Sequence, residues 1–187
     1  LTPAQQEAVN NLGVPGLFFE PDVRRVYPYG GIFAHSIGYV GVDNQGLAGI
    51  EKSFDAKLQD PQNDKPLQLS LDLRVQSILR DEVSKAIGEF QAIGGVGVVL
   101  DIKSGEVLAM TSAPSFDPNI FAKTLPPDLW KDLNDPKKKR LSNRAIQGVY
   151  PPGSVFKIMM AAAGLAEGVM SLTERVTCPG FYTLGSA

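Results

Sequence analysis

Two polar residues in an otherwise apolar stretch could do chemistry together. Ser154 and Lys157 stand in Tyr150-Pro151-Pro152-Gly153-Ser154-Val155-Phe156-Lys157, and from Val155 to Ala166 Lys157 is the one polar side chain. Two prolines and a glycine stop whatever precedes them, so a helix is expected to begin here with Ser154 as its N-cap. A helix that is apolar all round is normally buried. Residues three apart share a helix face, so hydroxyl and amine can meet. A cation in the first turn opposes the helix dipole, and burial disfavours charge. Both effects favour the neutral amine that a general base requires. On the residues alone the pair reads in two ways: a serine with a basic partner, or a helix cap followed by a lysine that snorkels to water. Ser-x-x-Lys is a short pattern, expected by chance roughly once in a chain of this size.

The elements that must position this pair can be read in order. Thr2 is a good N-cap for a short helix with Pro3 at its first position, Gln5 in the capping-box slot and Gly13 as the C′ residue. Val14 to Phe19, ending at Pro21, is expected to be a strand, as is Arg24 to Tyr27 before the Pro28-Tyr29-Gly30 turn. Asp60 to Pro66 is polar and proline-bearing and reads as a linker. Leu67 to Leu71 alternates as a strand would. Asp72 then caps a helix whose inward face is expected to carry Val75, Ile78, Leu79, Val83, Ala86, Ile87 and Phe90, with Gly94-Gly95 breaking the pattern. Val96–Ile102 and Glu106–Ser112 flank Lys103-Ser104-Gly105 and predict a hairpin. Pro127 to Asn134, containing Trp130, predicts a short helix.

Bulk properties exclude several function classes. The 187 residues suffice for one domain or one and a half, and 43% hydrophobic with 20% charged residues is an ordinary globular balance. A net charge of −2 gives no case for nucleic acid or an anionic membrane surface. The run Lys137-Lys138-Lys139-Arg140 is read as a solvated loop. Cys178, the single cysteine, rules out an internal disulfide and is read as structural. His35, the single histidine, has nothing around it to suggest a Ser-His-Asp triad, and one histidine with one cysteine cannot build a metal cluster without carboxylates. Glu51 is read as a helix-start carboxylate. No apolar run approaches 18 residues and no signal peptide is present, and the chain, starting at Leu1, is expected to be a piece of a longer protein.

Several blocks share a common likeness. Pro-Pro-Gly-Ser-Val-Phe-Lys, preceded by Asn143-Arg144-Ala145-Ile146-Gln147-Gly148, resembles the active-site serine segment of class B penicillin-binding proteins, the peptidoglycan D,D-transpeptidases. Arg24-Arg25-Val26-Tyr27-Pro28, His35 to Gly41 and Gly49-Ile50-Glu51-Lys52-Ser53-Phe54-Asp55 resemble the head of that family's non-catalytic pedestal module. The hairpin and the loop Ala113 to Asn119 resemble the start of its transpeptidase domain. Lys103-Ser104-Gly105 imitates the family's Lys-Thr/Ser-Gly motif but precedes the serine helix, whereas the family's triplet follows it. A hairpin turn explains it instead.

The resemblance implies an α+β fold in which residues 1–66 are part of a pedestal and residues 67–187 the first part of the transpeptidase domain. It implies that Ser154 is the nucleophile and Lys157 its base partner. The substrates implied are peptidoglycan stem peptides ending in D-Ala-D-Ala; β-lactams would acylate the same serine. The Ser154 N–H would contribute to the oxyanion hole. Membrane proteins of the elongation or division machinery are the implied partners, at the periplasmic face of the bacterial inner membrane, with the anchor outside this chain and no cofactor or metal. Gln147–Gly153 and Cys178-Pro179-Gly180-Phe181-Tyr182 lean to the elongation subtype, Val42–Gly46 and Glu51–Asp55 to the septal one; elongation is favoured. A β-lactamase or β-lactam sensor with the same chemistry, or a non-catalytic scaffold, are the alternatives. Neither Ser-x-Asn nor Lys-Thr/Ser-Gly occurs between Lys157 and Ala187. The chain by itself is therefore expected to be inactive, with Ser154 on an open side and a tendency to aggregate.

Overall fold

The computed structural model describes residues 2–20, 23–122, 125–175, 177–181 and 184–185, in two compact units, 1–148 and 149–187. Pro21 and Tyr182, which end two of the expected segments, lie outside the described residues. None of the described helices is long and apolar enough to cross a membrane.

In the first unit, α1 (Pro3–Asn10) starts with the expected capping box. Thr2 Oγ1 accepts from Gln5 N–H at 3.3 Å, and Gln5 Oε1 accepts from Thr2 N–H at 2.9 Å. The expected strands Val14–Phe19, Arg24–Tyr27 and Leu67–Leu71 do not form. A strand needs a partner ladder, and these segments satisfy their polar groups in other ways. Tyr27 donates its N–H to Asn119 Oδ1 and accepts from Asn119 Nδ2 through its carbonyl, both at 2.9 Å, so one side-chain amide does the work of a neighbouring strand. Leu67–Leu71 leans on the hairpin through Ser70 Oγ to Val107 O, and Asp72 N–H donates to Leu108 O, both at 2.8 Å.

Short helices α2 (Ala34–Ile37), α3 (Gly49–Ser53) and α4 (Asp55–Leu58) fold tightly on one another. Gly46 is required by proximity: a Cβ there would lie 2.1 Å from Glu51 O. Gly46 N–H is in turn held by Asp55 Oδ1 at 2.7 Å. Glu51, in the first turn of α3, is buried and forms a two-pronged ion pair with Arg25 at 3.0 and 3.1 Å. Burial, reinforced by the Glu51 charge, pushes the Tyr27 phenol up to about 12. Glu51 thus serves the fold.

The helix α5 (Leu73–Glu89) begins as expected, with Asp72 Oδ1 accepting from Arg74 N–H at 2.8 Å and Val75 N–H at 3.1 Å. It ends before the glycine pair, where Gln91 turns left-handed at φ 48°. Its inward face also differs: Ile78 and Phe90 are exposed, and Gln76 is fully buried. The helix covers one face of an antiparallel hairpin, β1 (Gly95–Leu100) with β2 (Val107–Ala113), whose register shifts between Val99 and Leu100. On the face away from α5, Val96, Val98 and Leu100 are exposed. A second core, Ala34, Phe116, Phe121 and Leu133, joins α2 to the loop after β2 and to α6 (Pro127–Leu133), with Tyr39 stacked on Phe121 at 3.8 Å.

Gln76 is the central polar joint. Its Nε2 donates to Met110 O at 2.9 Å and Ile32 O at 2.8 Å, while Oε1 accepts from Met110 N–H at 2.8 Å. Gln76→Ala strands three backbone groups in the interior, each unsatisfied group costing about 1–3 kcal/mol. The expected loss is about 3–5 kcal/mol. It should be seen as a lower urea midpoint at unchanged slope, and a midpoint equal to wild type would show that Gln76 is not the joint.

Candidate active site

The second unit is built around α8 (Phe156–Ala166). The chain enters through Pro152 in right-handed helical geometry, and Gly153 then turns to φ 52°. Nothing lies within 4 Å of a Cβ placed on Gly153, so glycine is needed there for its conformation and not for space. The turn closes with Val155 N–H on Pro152 O at 3.1 Å, forming a 3-10 segment Gly153–Val155 that runs into α8.

Ser154 therefore does not take the N-cap place expected of it. Val155 holds that place in helical geometry and gives no side-chain cap bond. Helical winding begins earlier than the sequence suggests, because Gly153 lets the chain turn as soon as the prolines end. Ser154 lies inside the first turn, and its hydroxyl makes no hydrogen bond among the described residues. Lys157 follows one turn on as the second residue of α8. Both are exposed, and no hydrogen bond joins them.

At its far end α8 closes in a Schellman motif. Val169 N–H donates to Gly164 O at 3.0 Å and Gly168 N–H to Leu165 O at 3.3 Å, with Gly168 left-handed at φ 67°. The chain then folds back so that Met170 lies against Gly164. An open groove of about 740 Å³ runs between, lined by Lys157, Met160, Gly164, Glu167 and Met170 among others. The burial usual for so apolar a helix is absent in this unit, and Ser154 stands on an open side as expected of the chain by itself: none of the α8 residues is buried, and Ile158, Met159 and Met160 are all more than half exposed. One helix and a returning segment cannot enclose a cylinder that is apolar on every side.

Among the other residues weighed from sequence, the turn triplet and half of the basic run have structural employment. The triplet Lys103-Ser104-Gly105 is a turn: Asp101 Oδ1 accepts from Lys103 N–H at 2.7 Å and Ser104 N–H at 3.0 Å, and Gly105 N–H donates to Asp101 O at 2.8 Å. The basic run is only partly solvated. Lys138 and Arg140 both pair with Asp132 of α6, Arg140 also donates to Ser115 O at 3.0 Å, and Lys137 and Lys139 stay exposed. Cys178 is exposed and free, so it is not a core cysteine.

His35 is buried. Its Nε2–H donates to Arg140 O at 2.7 Å and its ring meets Phe116 edge to face at 5.2 Å. Burial holds the imidazole below its ordinary value near 6.5, and the Arg144 charge adds to this; the bond to Arg140 O opposes it. The unfolded chain thus takes up the His35 proton more readily than the folded one. The stability His35 contributes is present above pH about 6.5 and is lost as pH falls through the depressed folded value. His35→Phe should flatten the fall in stability between pH 7 and pH 5, read from urea midpoints at the two values; an unchanged fall would assign it to other groups.

Sequence reading missed the buried amides. Asn143 caps α7 (Arg144–Gln147), its Oδ1 accepting from Ala145 N–H at 3.1 Å. Its Nδ2 reaches His35 O at 3.4 Å and Met110 Sδ at 3.3 Å, and its N–H donates to Gln147 Oε1 at 3.1 Å. The available signal was Asn before a short helix, which predicts a cap but not the other contacts.

Chemically, the head of α8 offers an unengaged primary hydroxyl one turn from an amine, the materials of a serine nucleophile and its base. Residues 95–187 match the family described as the penicillin binding protein transpeptidase domain, and residues 1–70 that described as the penicillin-binding protein dimerisation domain. A probable peptidoglycan D,D-transpeptidase FtsI of Caulobacter vibrioides is 40% identical over 187 residues, covering 99% of this chain and 30% of the relative. The crystal structure of Pseudomonas aeruginosa PBP2 in complex with WCK 5153 is similar at a TM-score of 0.72 and 34% identity, over 91% of this chain and 40% of that one. The penicillin G acyl-enzyme complex of penicillin-binding protein A from M. tuberculosis is similar at a TM-score of 0.60 and 30% identity, over 82% and 40%. The chain thus spans 30–40% of the length of these proteins.

Proposed function

We infer, for a chain that belongs to the class B penicillin-binding proteins, that the protein is a peptidoglycan D,D-transpeptidase with Ser154 as nucleophile and Lys157 as its base. The observation that carries the reading is the hydroxyl at the head of α8, presented by the Gly153 turn without a hydrogen bond among the described residues, three residues before a lysine and inside the region matched by the transpeptidase family.

Ser154 Oγ attacks the carbonyl between the two terminal D-Ala residues of a stem peptide as Lys157 takes its proton. The peptide C–N bond breaks, the last D-Ala leaves as the amine with a proton returned to it, and an ester to Ser154 remains. An amine on a neighbouring stem attacks that ester, forms the cross-link and restores the serine. A β-lactam enters the same first step, its ring amide opening to a stable ester. Residues 1–66 are proposed as pedestal and 67–187 as the start of the transpeptidase domain. The protein is proposed to act at the periplasmic face of the inner membrane beside membrane partners of the elongation or division machinery, with Gln147–Gly153 and Cys178–Tyr182 favouring the elongation subtype. The match of residues 1–70 to the dimerisation family weighs against the β-lactamase alternative.

The test is labelling of the full-length protein with fluorescent penicillin, followed by mass mapping of the adduct. The expected result is one slowly released adduct on the peptide containing Ser154. Rapid turnover of the β-lactam would favour a hydrolase, and an adduct elsewhere would remove the assignment.

A further inference from the structure

The face of the hairpin under α5 carries one polar side chain where small apolar ones are required. Gly95 and Gly97 of β1 lie so close to the helix that a Cβ there would meet Val83 at 3.0 Å and Leu79 at 2.6 Å. Their cross-strand partners on the same face are Ala113 and Thr111, and Ala109 follows on that face of β2. Glycine and alanine let α5 sit down on the sheet; Thr111 is the exception. It is 5% exposed, and its hydroxyl makes no hydrogen bond among the described residues. A buried hydroxyl ordinarily has a partner. This one is not sealed from solvent, because Thr111 lines an open groove of about 730 Å³ between the flank of α5 and the loop after β2. That volume lies within the ~300–1,000 Å³ of ligand sites.

The walls of the groove select the ligand. Arg80 is paired with Asp81 beside it at 3.2 Å and Arg140 with Asp132 at 2.9 Å. Asp117 Oδ1 accepts from Asn119 N–H at 2.9 Å and from Asn119 Nδ2 at 2.8 Å. Each charge is already engaged, so no surplus is left to draw an anion or a cation. What the groove offers is guanidinium donors and carboxylate acceptors together, a free hydroxyl, and hydrocarbon at Ile87 and Ile93. A ligand whose polar groups each donate and accept, carried on rings with C–H faces, matches such walls. We propose that this groove binds an uncharged saccharide chain, with the Thr111 hydroxyl as a direct contact. Taking that saccharide to be the glycan of peptidoglycan rests on the transpeptidase reading; the groove itself does not.

The probe is the uncharged tetramer of N-acetylglucosamine, titrated into the full-length protein in a calorimeter. The wild-type protein should bind it saturably. Thr111→Val keeps the shape of the side chain and removes the hydroxyl. Binding should weaken about three- to tenfold, the worth of one hydrogen bond. The melting temperature should hold or rise, because the hydroxyl serves no partner in the fold. Thr111→Ser keeps the hydroxyl and should bind within about twofold of wild type. Ile93→Arg, at a position 80% exposed on the rim, should fill the groove and abolish binding in a folded protein. No saturable binding to the wild type with a Kd below about 10 mM would overturn the proposal and leave the groove to water. Wild-type affinity in both Thr111→Val and Ile93→Arg would overturn it too, by putting the sugar elsewhere. A melting temperature lowered by about 4 °C or more in Thr111→Val would assign the hydroxyl to the fold and end its role as a contact. The nucleophile assignment is decided separately, by mass mapping of the penicillin adduct. An adduct away from Ser154 leaves the groove standing, and a groove that binds no sugar leaves Ser154 standing.

Discussion

Ser154→Ala in the full-length protein should show no covalent penicillin adduct and an unchanged melting temperature. The side chain is exposed and makes no hydrogen bond among the described residues, so its removal strands no partner. Alanine suits the first turns of a helix at least as well as serine. The conformation that shapes the turn belongs to Gly153, which the substitution leaves in place. The chemical loss is of a different order. Without Oγ no ester can form, and deletion of a serine nucleophile in an acyl-transfer enzyme costs ~10⁶-fold in turnover. Labelling that persists at the wild-type rate in the alanine protein would end the assignment.

Lys157→Arg is expected to bind β-lactam and acylate about 10²–10⁴-fold more slowly, the usual worth of a positioned general base. Arginine keeps the positive charge on a side chain of similar length. It cannot give up its proton, so any function that needs only a cation should survive and any function that needs a base should fail. The acylation rate constant and the binding constant, measured separately, distinguish these. Near-normal acylation would mean that Lys157 contributes charge and that another group takes the serine proton.

The parts of this molecule that were legible in its sequence are those fixed by near neighbours. Thr2 with Gln5 and the Asp72 cap are contacts within a few residues and read correctly from spacing, as does the turn at Lys103-Ser104-Gly105, though the Asp101 carboxylate that closes it was read as part of the strand before it. The serine-lysine spacing was legible for the same reason. The arrangement of Ser154 itself was not, because N-cap preference assumes that the helix starts at the serine, and the left-handed Gly153 starts the winding earlier. The three expected strands failed because alternation does not reveal whether a partner exists. At Tyr27 the partner is an Asn119 amide 92 residues away. Gln76 was hidden by its type: a polar residue on a helix is expected to face water, and only the bare backbone of Met110 and Ile32 opposite it explains the reversal.

The long reach of these polar joints bears on how the protein is made. Tyr27 waits for Asn119, which follows 92 residues later, and His35 waits for Arg140 and Asn143, 105 and 108 residues later. At about 5–20 residues per second, synthesis delivers those partners only after about 5–20 s. Through that interval the head of the chain has formed neither the amide clamp on Tyr27 nor the cover on Ala34, while Phe33, Ala34 and Tyr39 are already available to other chains. The residues around Tyr27 and Ala34 are therefore made before the residues that complete their packing, and until the ribosome has passed Asn143 their apolar side chains stand open to contact with other chains.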